Sequence, residues 1–199
     1  MFKIFLSFIS ILLISGCSIT AAPRPEKISV VPPTTQEIVN KNYTAHIDFG
    51  SLDIHADTID VCPYTLKASA QADLALRILL AQSFKKIEFS DSPKYSSAPK
   101  NEDGLISVRS GKPTYFGSCT PATHSCNTSI EVPLTISISG TNKPPIEKSF
   151  KLIKLTNTTN FLIGVCGALN EGLQIQAEKV INEILLISTH TIKSNRESF

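Results

Sequence analysis

Residues 129–139, Ser129-Ile-Glu-Val-Pro-Leu-Thr-Ile-Ser-Ile-Ser139, alternate without a fault: Ile130, Val132, Leu134, Ile136 and Ile138 share one side. A period of two over this length predicts a β-strand with one buried face. Pro133 falls on the outward side. It cannot donate to a ladder, so it predicts an edge position or a local bulge. Gly140 to Lys143 turns the chain, and Ile146 to Thr156 returns as a partner. Within that return, Phe150 and Leu152 change phase to Ile153 and Leu155, which predicts a bulge.

Beyond this pair, Ala168 to about Ser188 places Leu169, Leu173, Ala177, Val180, Ile184 and Ile187 at spacings of four and three. That is the stripe of a core-facing helix. Its polar side carries Glu171, Glu178 and Glu183, the wrong sign for lying on anionic lipid. Upstream, Ser69 opens another helix to about Phe84, with Leu76, Leu80 and Phe84 at i, i+4 and i+8 and Leu74 and Ile78 on a broad apolar side. Lys86 to Phe89 and Leu105 to Val108 read as strands, separated by a polar loop from Asp91 to Asp103. Tyr43 to Phe49 alternates, and the alternation resumes after Gly50-Ser51 as Leu52, Ile54 and Ala56. This predicts either a hairpin with a type II′ turn or a single bent strand.

The order strand, helix, strand, meander, helix predicts an α+β fold on a β-α-β-β-α plan, with an antiparallel or mixed sheet and two helices packed on one face. The single domain spans 42–192, followed by a disordered tail at 193–199. A hydrophobic content of 42% in 199 residues excludes a disordered chain, and a net charge of +2 gives no footprint for nucleic acid.

The chain begins with a short positive start, Met1-Phe2-Lys3, and an apolar run from Ile4 to Ile14. Eleven residues are too few to span a bilayer core, so residues 1–16 read as a signal peptide. The next four, Ile14-Ser15-Gly16-Cys17, resemble the lipobox of bacterial lipoproteins. The resemblance implies cleavage before Cys17, diacylglycerol on its sulfur and a further acyl chain such as palmitate on its amine. Ser18, rather than Asp, follows; by similarity to enterobacterial sorting this implies the outer membrane, with the domain on its periplasmic face. Residues 17–41 form the lipidated N-terminus and a tether with Pro23, Pro25, Pro32 and Pro33 and no sustained period. Extended at ~3.1 Å per residue, such a tether would reach roughly 75 Å. Ile28 to Val31 is its one candidate strand.

Four further cysteines, Cys62, Cys119, Cys126 and Cys166, make an even count in an exported chain and predict two disulfides. Cys119 and Cys126 enclose six turn-like residues and form the local pair, which leaves Cys62 with Cys166. Each of those two immediately precedes a helix. Zinc is the competing reading, but the spacing lacks a C-x-x-C pair.

The passages from Asp73 to Phe89 and from Gly167-Ala-Leu-Asn-Glu-Gly172 to Ile187 resemble the helix-into-strand passage and the closing helix of lipopolysaccharide-assembly and ABC-transport auxiliary lipoproteins. Those domains share their plan with the amino-terminal domain of the Tol-system translocation protein. The likeness is architectural, and it carries over no functional residue. It implies a non-catalytic accessory or scaffold of an envelope transport, assembly or secretion complex, with an envelope protein and the membrane as partners.

Candidate chemistry is sparse. A hairpin at Gly50-Ser51 would set Asp48 opposite Asp53 and His46 opposite His55, a competent ligand set for a divalent metal. A solvated outer face is the plainer reading of the same four residues. His124 and His190 stand alone. There is no Gly-x-Ser-x-Gly elbow and no glycine-rich phosphate loop. The expectation is therefore no enzyme, no cofactor and no catalytic residue. The alternative is a periplasmic lipoprotein that binds a small ligand or a metal.

Overall fold

The computed structural model describes residues 19–34, 38–56, 63–91, 103–120, 125–140, 144–159 and 164–195. In chain order the strands among them are β1 (Ile19–Ala21), β2 (Val39–Asp48), β3 (Ile54–Ala56), β4 (Tyr64–Leu66), β5 (Phe84–Phe89), β6 (Gly104–Ser110), β7 (Thr114–Thr120), β8 (Ser125–Gly140) and β9 (Ile146–Thr158). The helices are α1 (Ser69–Ser83) and α2 (Gly164–Ser194). Among the described residues the fold is α+β, with two α-helices and two mixed sheets.

The alternating stretch that opens the sequence argument is the centre of the larger sheet. β8 pairs with β9 along one edge, from Cys126↔Thr158 to Ile138↔Ile146. Its other edge is shared by β6, opposite residues 134–140, and β7, opposite residues 125–131. β6 and β7 thus form one broken line. β2 joins the far side of β6 in parallel and carries β5, also parallel.

Pro133 is therefore not on an edge strand, as its chemistry predicts, but in the middle of the sheet. It falls at the gap between β6 and β7. Gly111 N–H donates to Pro133 O at 2.8 Å. In an extended strand the N–H and C=O of one residue point to the same edge, so the missing donor of Pro133 faces the gap and the β9 ladder is untouched. A Cβ on Gly111 would stand 3.0 Å from Pro133 Cβ, so the smallest residue sits where the two chains meet.

The predicted bulge in β9 is absent as well. The register runs unshifted from 146 to 158. Leu152 remains buried, while Ile153 and Leu155 face outward, 53% and 71% exposed. The change of phase marks apolar residues on the outer face, not a rotation of the strand.

Even-numbered side chains of β8 build the inner face, and both helices cover it. α1 packs on β2 and β5, α2 packs on β8 and β9, and the helices touch each other. In α1 the buried positions Ala72, Ala75, Leu76, Leu79 and Leu80 follow the helical period. Asp53, sixteen residues before Ser69, caps this helix: its Oδ1 accepts from the N–H of Ala68 at 2.8 Å and of Ser69 at 2.9 Å. Those groups have no intrahelical partner. α2 is longer than its stripe predicts and begins at Gly164. Gly172 allows its close approach to the sheet, since a Cβ there would meet Thr128 Oγ1 at 2.8 Å. Beside it, Gln176 is fully buried and donates from Nε2 to Thr128 Oγ1 at 2.7 Å.

The smaller sheet has the order β1-β4-β3, with β1 parallel and β3 antiparallel to β4. It rests on the larger one through Tyr64, whose ring meets that of Tyr115 on β7 at 4.7 Å, edge to face. Burial pushes the Tyr64 phenol up to about 12.

β1 departs most from the sequence reading. The tether expected over 17–41 is, in its described part, packed against the domain. Ala21 is 1% exposed, and its carbonyl accepts from Lys67 N–H at 2.9 Å. Ile28 to Val31, its one candidate strand, is not a strand.

Candidate functional site

The four residues of the supposed metal face are not brought together. Gly50 to Leu52 is a 3-10 turn, and β2 and β3 belong to different sheets. His46 pairs with Ser107 of β6, is 6% exposed and holds Ser90 O at 3.1 Å through Nδ1. Asp48 accepts from Gly50 N–H at 3.2 Å, and Asp53 caps α1. His55 Nδ1 lies 2.8 Å from Thr65 Oγ1. Among the described residues no three metal-ligating side chains converge. An open depression of about 310 Å³ between Asp48, Ser69 and Asp73 adds nothing to this, because Asp73 is engaged by Arg77 at 2.7 Å.

Cys119 and Cys126 form a disulfide between directly paired positions of β7 and β8. It packs against Val165, Ala168 and Leu169 of α2. Cys166 is disulfide-bonded too, and it lies within the first turn of α2 instead of before it. Cys17, Cys62 and His124 lie outside the described residues. His190 is exposed near the end of α2.

What the sequence reading missed is a segment and a groove. From Ala22 to Val31 the chain runs along α2, held by polar side chains spaced one turn apart. Gln174 Nε2 donates to Ala22 O at 2.8 Å. Glu178 accepts from Arg24 N at 3.1 Å, from Arg24 Nε at 2.6 Å and from Arg24 Nη2 at 3.0 Å. Asn182 accepts from Ser29 N at 2.8 Å and donates to Lys27 O at 2.9 Å. The spacing 174, 178, 182 is a single helical face. Burial pushes the Glu178 carboxyl up, but the hydrogen bonds and charge of Arg24 outweigh it and hold it below the usual value of 4.5.

Where this segment ends, Val31, Leu79, Leu185 and Leu186, with Ser29, Asn182 and Thr189, line a groove of about 370 Å³. Val31 is 68% and Leu186 69% exposed. Leu74 and Ile78, one turn apart on α1, add two more exposed apolar side chains. No acid, base or thiol lines the groove, and the amide of Asn182 is already occupied. Such a lining suits an apolar guest. The sequence signal was the doublet Leu185-Leu186, one apolar residue more than a single stripe needs.

No protein-family model matches the chain, and no curated protein matches it by sequence. Several solved structures resemble its fold loosely. A Xanthomonas campestris protein described by the family model DUF330 is 9% identical, with a TM-score of 0.42 over 88% of this chain and 98% of its own. A minor lipoprotein from Acinetobacter baumannii is 14% identical, with 0.40 over 80% and 95%. Rare lipoprotein B from Shewanella oneidensis is 10% identical, with 0.36 over 78% and 98%. Two of these three are lipoproteins by name, and no role is taken from any of them.

Proposed function

We propose that this chain is an envelope lipoprotein, held by acyl chains on Cys17 at the periplasmic face of the outer membrane, and that it acts by contact as a non-catalytic accessory of a transport or assembly complex. The observation that supports this best is the course of the N-terminal segment. It leads from β1, two residues after the lipobox cysteine, along α2 and ends at an apolar groove. From Gln174, which holds Ala22, to Leu186 in the groove is twelve residues, or ~18 Å of helix. The groove is thereby set apart from the anchor, which favours an apolar segment of another envelope protein over the bilayer as its occupant. Each buried methylene of such a segment would contribute about 0.8 kcal/mol.

A photo-crosslinking residue at Leu186, in cells, tests this reading. It should give one discrete adduct with an envelope protein, lost when Val31→Asp is added. The same probe at Thr135, on the far face of the sheet, should give none. Equal adducts at both positions, or none at Leu186, would contradict it. The volume of the groove also lies in the range of small-ligand sites. A stoichiometric apolar molecule retained by the purified protein in native mass spectrometry would turn the reading to the ligand-binding alternative.

A further inference from the structure

We infer that residues 19–31 couple the anchored end of the chain to the groove: the clasp of Arg24 on Glu178 docks β1 and one wall of the groove together, so the groove accepts its apolar segment only while β1 is docked. This rests on the proposed function and adds a regulation to its site.

The groove has one wall that belongs to neither helix. Leu79 stands on α1, and Leu185 and Leu186 stand on α2, whereas Ser29 and Val31 come from the N-terminal segment. Ile28 and Val30 pack against the core, and the alternate residues Ser29 and Val31 line the groove. If this segment lifts, the wall goes with it.

The fastenings of that wall differ in strength. Asn182 clasps the backbone on both sides of Ile28 through Ser29 N–H and Lys27 O, but in an exposed position where water competes for both bonds. Arg24 engages both oxygens of Glu178, a carboxylate only 6% exposed, and adds its backbone N–H. Glu178 lies one turn before Asn182 and does not line the groove. It acts on the groove as a positioning residue, through Arg24.

The same clasp holds the other end. Directly upstream of Arg24, Pro23 is buried, Ala22 O accepts from Gln174, and Ala21 O accepts from Lys67 N–H. β1 is three residues long, at the edge of its sheet, with β4 as its one strand partner among the described residues. Between β1 and β2 the described segment has no ladder, only the short 3-10 turn Pro25–Lys27. A thin run of this kind, attached point by point, opens as one unit.

The regulation follows by linkage. An occupant that touches Val31 makes that contact only in the docked state, so it binds this state better and shifts the population towards it. The effect is reciprocal: filling the groove tightens β1, and undocking β1 empties the groove. β1 begins two positions after Cys17, so a pull on the anchor reaches β1 first. The groove therefore holds its partner while the domain sits undisturbed on its anchor and releases it under load.

Full-length lipoprotein tests the coupling in two arms. Hydrogen exchange of the membrane-reconstituted protein compares the amides of Thr20 to Ala22 and of Ser29 to Val31 in wild type and Glu178→Gln. Both sets should exchange at least about fivefold faster in the variant, and by a common factor. Acceleration of one set alone, or of neither, overturns the coupling. In cells, the adduct from a photo-crosslinking residue at Leu186 should fall by a similar factor in Glu178→Gln. Arg24→Gln should match it, and the double variant should fall no further, because one clasp can be removed only once. Asp73→Asn, which disturbs the ion pair with Arg77 on α1, should leave the adduct unchanged. An undiminished adduct in Glu178→Gln, or an equal fall in Asp73→Asn, overturns the coupling and leaves the proposed function standing. No adduct from the wild type overturns the proposed function, and the exchange arm alone then upholds or overturns the joint docking of β1 and the groove wall.

Discussion

Arg24 and Glu178, 154 positions apart, are joined by two side-chain contacts of 2.6 and 3.0 Å and by the backbone N–H of Arg24. Glu178 is 6% exposed, so its charge is held inside the domain by a residue that composition assigns to a tether. Glu178→Gln keeps the shape and removes the charge. Limited proteolysis of this variant should cut between Arg24 and Thr34 severalfold faster than in the wild type, with the core fragment unchanged. Equal rates would mean that the pairing does not hold the segment.

The same pair predicts a pH dependence. The carboxyl of Glu178 is depressed in the folded protein. A group of this sign contributes its full stability above the unfolded pKa and loses it as pH falls through the lower folded value. Amide exchange of residues 22–31 should therefore be pH-normal above 4.5 and accelerate below it. Glu178→Gln should flatten that step.

Gly172→Ala tests the fit of α2 on the sheet. Alanine is the better helix former by up to about 1 kcal/mol. Its Cβ, however, would meet Thr128, which is itself buried under Gln176. Overpacking of this kind costs ~1–3 kcal/mol. A net loss in urea unfolding is expected, and a gain would show that the contact yields freely.

Removal of the Cys119–Cys126 disulfide should cost up to about 2.5 kcal/mol, the chain-entropy value for so short a loop. The sequence separation is 7, and the cysteines stand directly opposite across the ladder. Unfolding of the Cys119→Ala, Cys126→Ala double variant measures it. A much larger loss would place the bond's contribution in its packing under Val165 and Leu169.

Labelling with a fatty-acid probe should mark the wild type and leave Cys17→Ala unmarked. Equal labelling would remove the anchor from the account.

The parts of this fold that were legible are those with a local period. Ile130 to Ile138 and Leu169 to Ile187 announce a strand and a helix because burial repeats along them. The rest depends on partners far away in sequence. Nothing near Arg24 foretells Glu178, and Ala22 to Val31 has no period because it is held through backbone groups and the single side chain of Arg24. Asp53 reads as a hairpin ligand until the N–H groups of Ala68 and Ser69 are in place above it. Ile153 and Leu155 mislead for a different reason. A strand with apolar residues on both faces looks from its sequence like a strand that changes face, and only the register of β9 separates the two. The groove was hidden because it forms between Val31, Leu79 and Leu186, from three separate elements.

Neutron reflectometry of the lipidated protein on a supported bilayer tests most directly whether the anchor leads straight into the fold. The account predicts a protein layer that begins at the headgroups, with no intervening water layer. A hydrated gap of several tens of ångströms beneath the protein would contradict it.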